Sequence, residues 1–141
     1  KTLSEILLEE LENEDLYNIF FQVFFSHAYL TYKLGSFRHG SFNIYSFLVS
    51  MEEHDNIKLK LGEDKFVLNK VKFICKLFNY RRSEIMGMSN KVVNYSNLEN
   101  PTYDMYIFFK SIFSERKRII KNPIANRGRS KCILYLLTLR S

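Results

Sequence analysis

Apolar residues recur at helical spacing over most of this chain. Thr2 and Glu5 have the spacing of a capping box, and the leucines that begin at Leu3 follow one another every four residues. Residues 15–34 are apolar on nearly every side, which is typical of a helix at the centre of a domain. We therefore expect an amphipathic first helix and a central second one, which Gly35 is placed to end in the left-handed conformation.

The later segments continue this pattern. Residues 57–61 alternate apolar and basic side chains as a strand does, but a run of five without an obvious partner favours an extended connector. Helical spacing predicts further helices over about 42–53, about 65–79, 83 to 88 or 95, and about 101–121, and 131–140 as a final short helix or strand. The fold class that we expect is all-α, with a single compact bundle of six or seven helices formed by residues 1–141.

The composition agrees with one folded domain. A chain of 141 residues, 46% apolar, with 13 Phe, nine Tyr and no Trp, is expected to build its core largely from phenyl rings. No apolar run approaches the roughly 18 residues that a membrane-spanning helix needs, and the start of the chain lacks the pattern of a signal peptide. We expect a cytoplasmic protein, with a nuclear location and secretion as alternatives.

Charge is unevenly distributed along the chain. Residues 1–16 hold six acidic residues against Lys1, whereas residues 110–141 hold nine basic residues against Glu115, and the net charge is +6. Such polarity favours head-to-tail contacts between copies or docking on an acidic partner.

Residues that carry catalytic chemistry are sparse. The three histidines, His27, His39 and His54, lack the i,i+4 spacing of a metal site, and phosphate loops, nucleophile elbows and CxxC pairs are absent. We therefore predict that the chain is not an enzyme and takes no metal and no cofactor. Cys75 and Cys132 are expected to be thiols in a reducing compartment.

A secreted, cytokine-like helical bundle is an alternative interpretation. It would join Cys75 to Cys132 in a disulfide, and the glycosylation-type triplet at Asn94 would suit it.

Three segments occur in an informative order. The acidic first helix is followed by Glu14-Asp15-Leu16, and residues 44–53 form an amphipathic segment before a polar loop. Residues 73–85 then run into Arg82-Ser83-Glu84-Ile85. Over residues 2–95 these features resemble the death effector domains of the death-fold superfamily, with pyrin domains as near relatives.

The resemblance implies a function and a site. In that family an Arg-x-Asp-Leu motif and an acidic residue of the second helix form a surface network that supports homotypic assembly. Here Glu and Ile stand at the Asp and Leu positions of the motif, and residues 96–141 form a basic helical extension outside the resemblance. The implied function is a non-enzymatic protein–protein interaction module in apoptotic or inflammatory signalling, acting by homotypic or charge-steered association. The implied interaction residues are Glu14, Asp15, Arg81, Arg82 and Glu84.

Nucleic-acid binding is the alternative function. The predicted basic helix at 65–79, the break at Arg81-Arg82 and the following segment to residue 95 would then form a helix-turn-helix-like unit. A cluster of basic residues near the end of the chain would bind phosphates or an acidic partner. This cluster consists of Arg116, Lys117, Arg118, Lys121, Arg127, Arg129 and Lys131.

Overall fold

The computed structural model describes residues 1–85, Met88 and 102–121, and it follows 116–121 by their backbone alone. Within that part of the chain, three α-helices accompany two pairs of antiparallel strands. In chain order these elements are α1 (Leu3–Ile6), α2 (Asn13–Leu34), β1 (Phe37–Arg38), β2 (Phe47–Leu61), β3 (Asp64–Leu77), β4 (Glu84–Ile85) and α3 (Tyr103–Lys121). The fold is therefore mixed α/β, and the expected all-α bundle of six or seven helices is wrong.

A long hairpin replaces two of the predicted helices. β2 pairs with β3 in antiparallel register from Phe47 opposite Leu77 to Leu61 opposite Asp64. The expected helices over 42–53 and 65–79 are therefore wrong, and the alternation at 57–61 belongs to a strand. Only the two residues after Leu61 separate the strands, and Gly62, with a φ of +60°, has the positive φ that the first position of a type II′ turn requires. This short turn gives the alternating segment the partner that it seemed to lack.

A β-bulge divides the hairpin into two halves. Met51 lies opposite Phe73 and His54 opposite Val71, so β2 carries one extra residue between these pairs. Near the bulge Lys70 has a φ of +49°, and the buried positions of β3 change from the even-numbered Leu68 to odd-numbered residues from Val71 onward. The half of the ribbon near the turn therefore buries an even-numbered position of β3, whereas the other half buries odd-numbered positions.

Helix α2 covers the outer edge of β3 with side-chain amides. Gln22 Nε2 donates to the Phe73 carbonyl at 2.8 Å, and Gln22 Oε1 accepts from the Cys75 N–H at 3.0 Å. One helical turn earlier, Asn18 Nδ2 donates to the Asn69 carbonyl at 3.1 Å. Amides four residues apart on one face of α2 thus supply hydrogen bonds that a neighbouring strand would otherwise make.

The buried core is mostly aliphatic, with a cluster of phenyl rings at its centre, so the expectation of a core built largely from phenyl rings is only partly met. The Phe108 ring of α3 lies 5.6 Å from the rings of Phe24 and Phe42, and its side chain is fully buried. Rings at these distances in edge-to-face or tilted arrangements add stabilisation beyond the area they bury. The core therefore joins α2 and α3 to the loop that leads into β2.

The helix boundaries were predicted better than the strands. The capping box is confirmed, because Glu5 N–H donates to the Thr2 hydroxyl while the Glu5 carboxylate accepts from Thr2 N–H. The central helix is also confirmed and ends at Gly35, but the φ of +75° and ψ of −43° of this glycine lie outside the expected left-handed helical region. We expected Ser83 to begin a further helix. The described start of this segment is the strand β4 instead, and residues 89–95 lie outside the described residues.

Replacing Gln22 by alanine tests the edge contact. The substitution leaves the Phe73 carbonyl and the Cys75 N–H without their partner, so we expect a loss of about 1–3 kcal/mol in the free energy of unfolding. Urea unfolding followed by circular dichroism measures this change. Lys33→Ala, on the exposed end of the same helix, is the control and should change stability by less than about 0.5 kcal/mol. Equal losses for both variants would contradict the proposed edge role.

Candidate functional site

The most concentrated group of titratable side chains surrounds Asp104. Its Oδ2 lies 3.0 Å from His27 Nε2 and accepts from the His39 N–H at 2.7 Å, and its Oδ1 accepts from the Gly40 N–H at 3.0 Å. Burial alone would raise the pKa of Asp104, but the hydrogen bonds from His27, His39 and Gly40 together lower it. The carboxylate is therefore held ionised in an almost fully buried position.

His39 completes this network and is fully buried. Burial lowers the pKa of the imidazole, although its hydrogen bond to the Phe78 carbonyl acts in the other direction. The neutral ring donates from Nε2 to that carbonyl over 2.8 Å. The network thus ties α2, the β1 loop, the end of β3 and α3 together. The Asp104 oxygens and His39 Nε2 are bonded to protein groups, while His39 Nδ1 is buried without a hydrogen-bond partner among the described residues.

A second concentration of functional groups lies on the exposed side of the half of the hairpin between the bulge and the turn at Gly62. We call this half the distal hairpin. Cross-strand partners in an antiparallel pair point to the same face, so three rows of side chains can be assigned from the register. The rows are Asn56 with Asn69, Lys58 with Val67, and Lys60 with Lys65. All six residues are exposed, and we call this surface the lysine face.

The opposite side of the distal hairpin is packed on α2. The Phe66 ring lies 5.4 Å from the Phe21 ring and 6.0 Å from the Phe25 ring, and Leu68 is buried. Because strand residues alternate between faces, this packing forces Lys65 and Val67 outward. The lysine face is therefore supported from behind by a helix.

The charges of the lysine face are not neutralised within the described residues. No ion pair joins Lys58, Lys60 or Lys65 to a carboxylate in that part of the chain. Lys60 lies directly opposite Lys65, and like charges in this position are destabilising. In the described hairpin, acidic residues lie at the limits of this surface, at the turn (Glu63, Asp64) and around the bulge (Glu52, Glu53, Asp55).

Two depressions lie elsewhere on the surface. An open one of about 480 Å³ at the bulge is lined by residues of mixed charge, including Glu53, Asp55 and Lys72. The other, of about 300 Å³, is lined by Tyr106, Phe109 and neighbouring residues of α3. Neither depression brings together a nucleophile, a base and an oxyanion donor among its lining residues.

The two acidic residues predicted for partner binding differ in exposure. Glu14 is exposed in the first turn of α2, whereas Asp15 is buried and forms an ion pair with Lys72 over 3.3 Å. Glu12 contacts the same ammonium group over 3.1 Å. Part of the acidic charge of the N-terminal region is thus paired with a lysine of the same chain.

The residues of the predicted motif also separate. Arg81 and Arg82 are exposed in a 3₁₀ turn, but Glu84 is buried in β4, directly opposite the buried Arg38. The Arg82 backbone lies close against Gly40, where an added Cβ would approach the Arg82 carbonyl oxygen to 2.4 Å, so only glycine fits there. Asp15 and Glu84 are thus both buried, whereas Glu14, Arg81 and Arg82 are exposed.

The helix-turn-helix-like unit expected over 65–95 is wrong in its first half, which is the strand β3. In the basic cluster, Arg116, Lys117, Arg118 and Lys121 lie in the last turns of α3. Arg127, Arg129 and Lys131 lie outside the described residues, as does Cys132. Burial raises the pKa of the Cys75 thiol to about 12, so this cysteine is a poor nucleophile.

The sequence contained a signal for the lysine face. The alternation of Ile57, Lys58, Leu59 and Lys60 is the period-2 pattern of a strand with one buried side. Once Gly62 is taken as a hairpin turn, that pattern places Lys65 beside Lys60.

The described residues contain no group of three or more His, Cys, Asp or Glu side chains suited to a metal ion. None of the described helices has the length and hydropathy needed to cross a bilayer.

The pH dependence of stability tests the buried state of His39. The folded chain resists protonation of His39, whereas the unfolded chain accepts a proton near pH 6.5, so the free energy of unfolding should fall as pH drops below about 6.5. Asp104 and His27 are titratable groups that face this imidazole. To isolate the contribution of His39, the variant His39→Gln is compared with the unchanged chain by urea unfolding between pH 8 and 5.5. The variant should remove up to about 1.4 kcal/mol per pH unit of that slope. The same slope in His39→Gln as in the unchanged chain would contradict the assignment.

Comparisons with known proteins leave the function open. No family model, no curated protein and no solved structure matches this chain. The death-fold resemblance thus gains no support from known proteins. Two of the three segments that carry it, 44–53 and 73–85, contain strands where that family has helices.

Proposed function

We propose that this chain is a non-enzymatic nucleic-acid-binding module whose binding surface is the lysine face. The observation that carries the proposal is the row of Lys60 opposite Lys65, with Lys58 next along β2. A repulsive pair of cations on a well-supported surface is explained by an anionic ligand that neutralises it. Phosphates of a nucleic acid are such a ligand, because lysines that replace their counterions gain binding free energy.

The distribution of charge over the molecule supports the same function. The net charge is +6, and four basic residues, Arg116, Lys117, Arg118 and Lys121, follow one another near the end of α3. By contrast, Glu9 is paired with Lys1, and Glu12 and Asp15 are paired with Lys72. Several acidic side chains thus pair within the molecule, whereas Lys58, Lys60 and Lys65 form no ion pair among the described residues.

The buried network around Asp104 does not contribute side chains to the proposed binding surface. Asp104 is 2% exposed and His39 is fully buried, so neither group reaches a ligand on the surface. Their hydrogen bonds hold the loop before β2 against α3.

Charge-neutral variants of the lysine face test the proposal. Replacing Lys58, Lys60 and Lys65 together by Gln should weaken binding to a labelled 20-base-pair DNA duplex by at least 10-fold at low salt. It should also reduce the slope of log K against log salt concentration by about 0.9 for each lost phosphate contact. Fluorescence anisotropy at two or more salt concentrations gives both values.

A control with the same net charge separates a local site from a general charge effect. Lys33, Lys76 and Lys110 are exposed and lie outside the lysine face, and replacing all three by Gln removes the same charge. This control should retain most of the affinity and the salt slope. Equal losses in both triple variants, or no binding by the unchanged chain at low salt, would overturn the proposal.

A protein partner is the second candidate, and a specific observation favours it. Glu10 and Glu14 are exposed near the start of α2 without an ion pair among the described residues, so one copy offers both an acidic surface and the lysine face. Such complementary surfaces support head-to-tail association of copies, steered by charge and weakened by salt.

Charge-neutral variants of the two surfaces test self-association. In a head-to-tail contact, Glu10→Gln/Glu14→Gln disables one surface and Lys58→Gln/Lys60→Gln disables the other, so each variant alone should be monomeric. A mixture of the two should form a 1:1 dimer, because each retains the surface that the other needs. Sedimentation velocity at low and high salt detects the dimer. A monomeric unchanged chain at low salt would exclude this second candidate.

A further inference from the structure

We infer that the lysine face reads base edges in the major groove of B-form DNA, with the Asn56 and Asn69 amides as the reading groups. This inference rests on the proposed nucleic-acid function and adds a preference for adenine-containing sites. It is carried by the composition of the face, in which amides, an exposed aliphatic side chain and cations stand in successive rows.

The dimensions of the ribbon fit the groove. Neighbouring strands lie about 4.8 Å apart, and the major groove of B-DNA is about 12 Å wide and admits a two-stranded ribbon. From the row of Asn56 to the row of Lys60 the strand rises by four residues, which is about 14 Å at about 3.4 Å per residue. At the spacing of about 3.4 Å between stacked base pairs, the three rows span about four base pairs.

The side chains of the rows match what the groove displays. An Asn amide can donate to N7 and accept from N6 of adenine in a bidentate contact, and an apolar side chain contacts the thymine methyl group. Asn56 and Asn69 are exposed, and neither side chain makes a hydrogen bond among the described residues. Val67, 54% exposed, lies between this row and the Lys60 row. The lysines then contact phosphates or guanine at one end of the face.

Other anionic ligands match the side chains of the lysine face less well than B-form DNA. The major groove of A-form RNA is deep and narrow, so a ribbon cannot bring its amides to the base edges there. A ligand recognised through its phosphates alone would use the lysines but would leave the paired amides and Val67 without a role. An acidic protein would likewise be bound by the cations alone.

Selection from a randomised duplex pool tests the inference. The unchanged chain and Asn56→Ala/Asn69→Ala are each incubated with a labelled DNA duplex that carries six random base pairs between fixed G·C flanks, and bound molecules are sequenced. The unchanged chain should enrich A·T pairs at two or more positions, and the selected duplex should bind about 10-fold tighter than an all-G·C duplex. The double variant should lose this preference while its affinity for the all-G·C duplex changes less than 2-fold.

Controls make each outcome decisive. Asn13→Ala, at an exposed asparagine outside the face, should keep the preference, and an RNA duplex of the selected sequence should bind no tighter than the all-G·C DNA duplex. Binding without any base preference, or the same preference in the double variant, would overturn base reading and leave phosphate binding intact. If the unchanged chain binds no duplex, the proposed function fails, and base reading fails with it.

Discussion

A helix that lies along the edge of a two-stranded ribbon has to supply the hydrogen bonds that a third strand would make. In this molecule Asn18 and Gln22 of α2 provide them, by bonding to backbone groups of β3 at Asn69, Phe73 and Cys75. An isolated hairpin is marginally stable in water, so a helix is needed to give this one a defined position. The rest of the structure depends on this contact, because the same helix contributes its phenyl rings to the core and its Phe21 and Phe25 to the distal hairpin.

The contact with α2 also decides which surface the ribbon offers to other molecules. One side of the distal hairpin is committed to α2 through Phe66 and Leu68, so the lysines and asparagines between 56 and 69 have to face outward. A ribbon that is fixed from behind presents its side chains at defined spacings, which a free hairpin does not. This is why a set of lysines that is unremarkable in the sequence becomes a candidate site in the structure.

The buried polar network serves the opposite purpose. Asp104 accepts hydrogen bonds from two consecutive backbone N–H groups and contacts His27, while His39 donates to the Phe78 carbonyl. Leaving any of these buried groups unpaired would cost stability, so the network fixes how α3 meets the loop before β2. Histidines and an aspartate that lie close together are common in catalytic sites, but here Asp104 and His39 are buried and bond to backbone groups of neighbouring elements.

The sequence by itself determined the helices that precede and follow the hairpin. The capping box at Thr2, the central helix up to Gly35 and the helix over Tyr103–Lys121 were all predictable, because they depend on local spacing. Only the tertiary structure decided the region between them. Apolar residues such as Val67, Val71 and Ile74 satisfy a helical period as well as a bulged strand, and the choice depends on pairing with β2 and on hydrogen bonds from Gln22, some 50 residues away. The lysine face follows from that pairing, since Lys60 and Lys65 become neighbours only when the chain turns at Gly62.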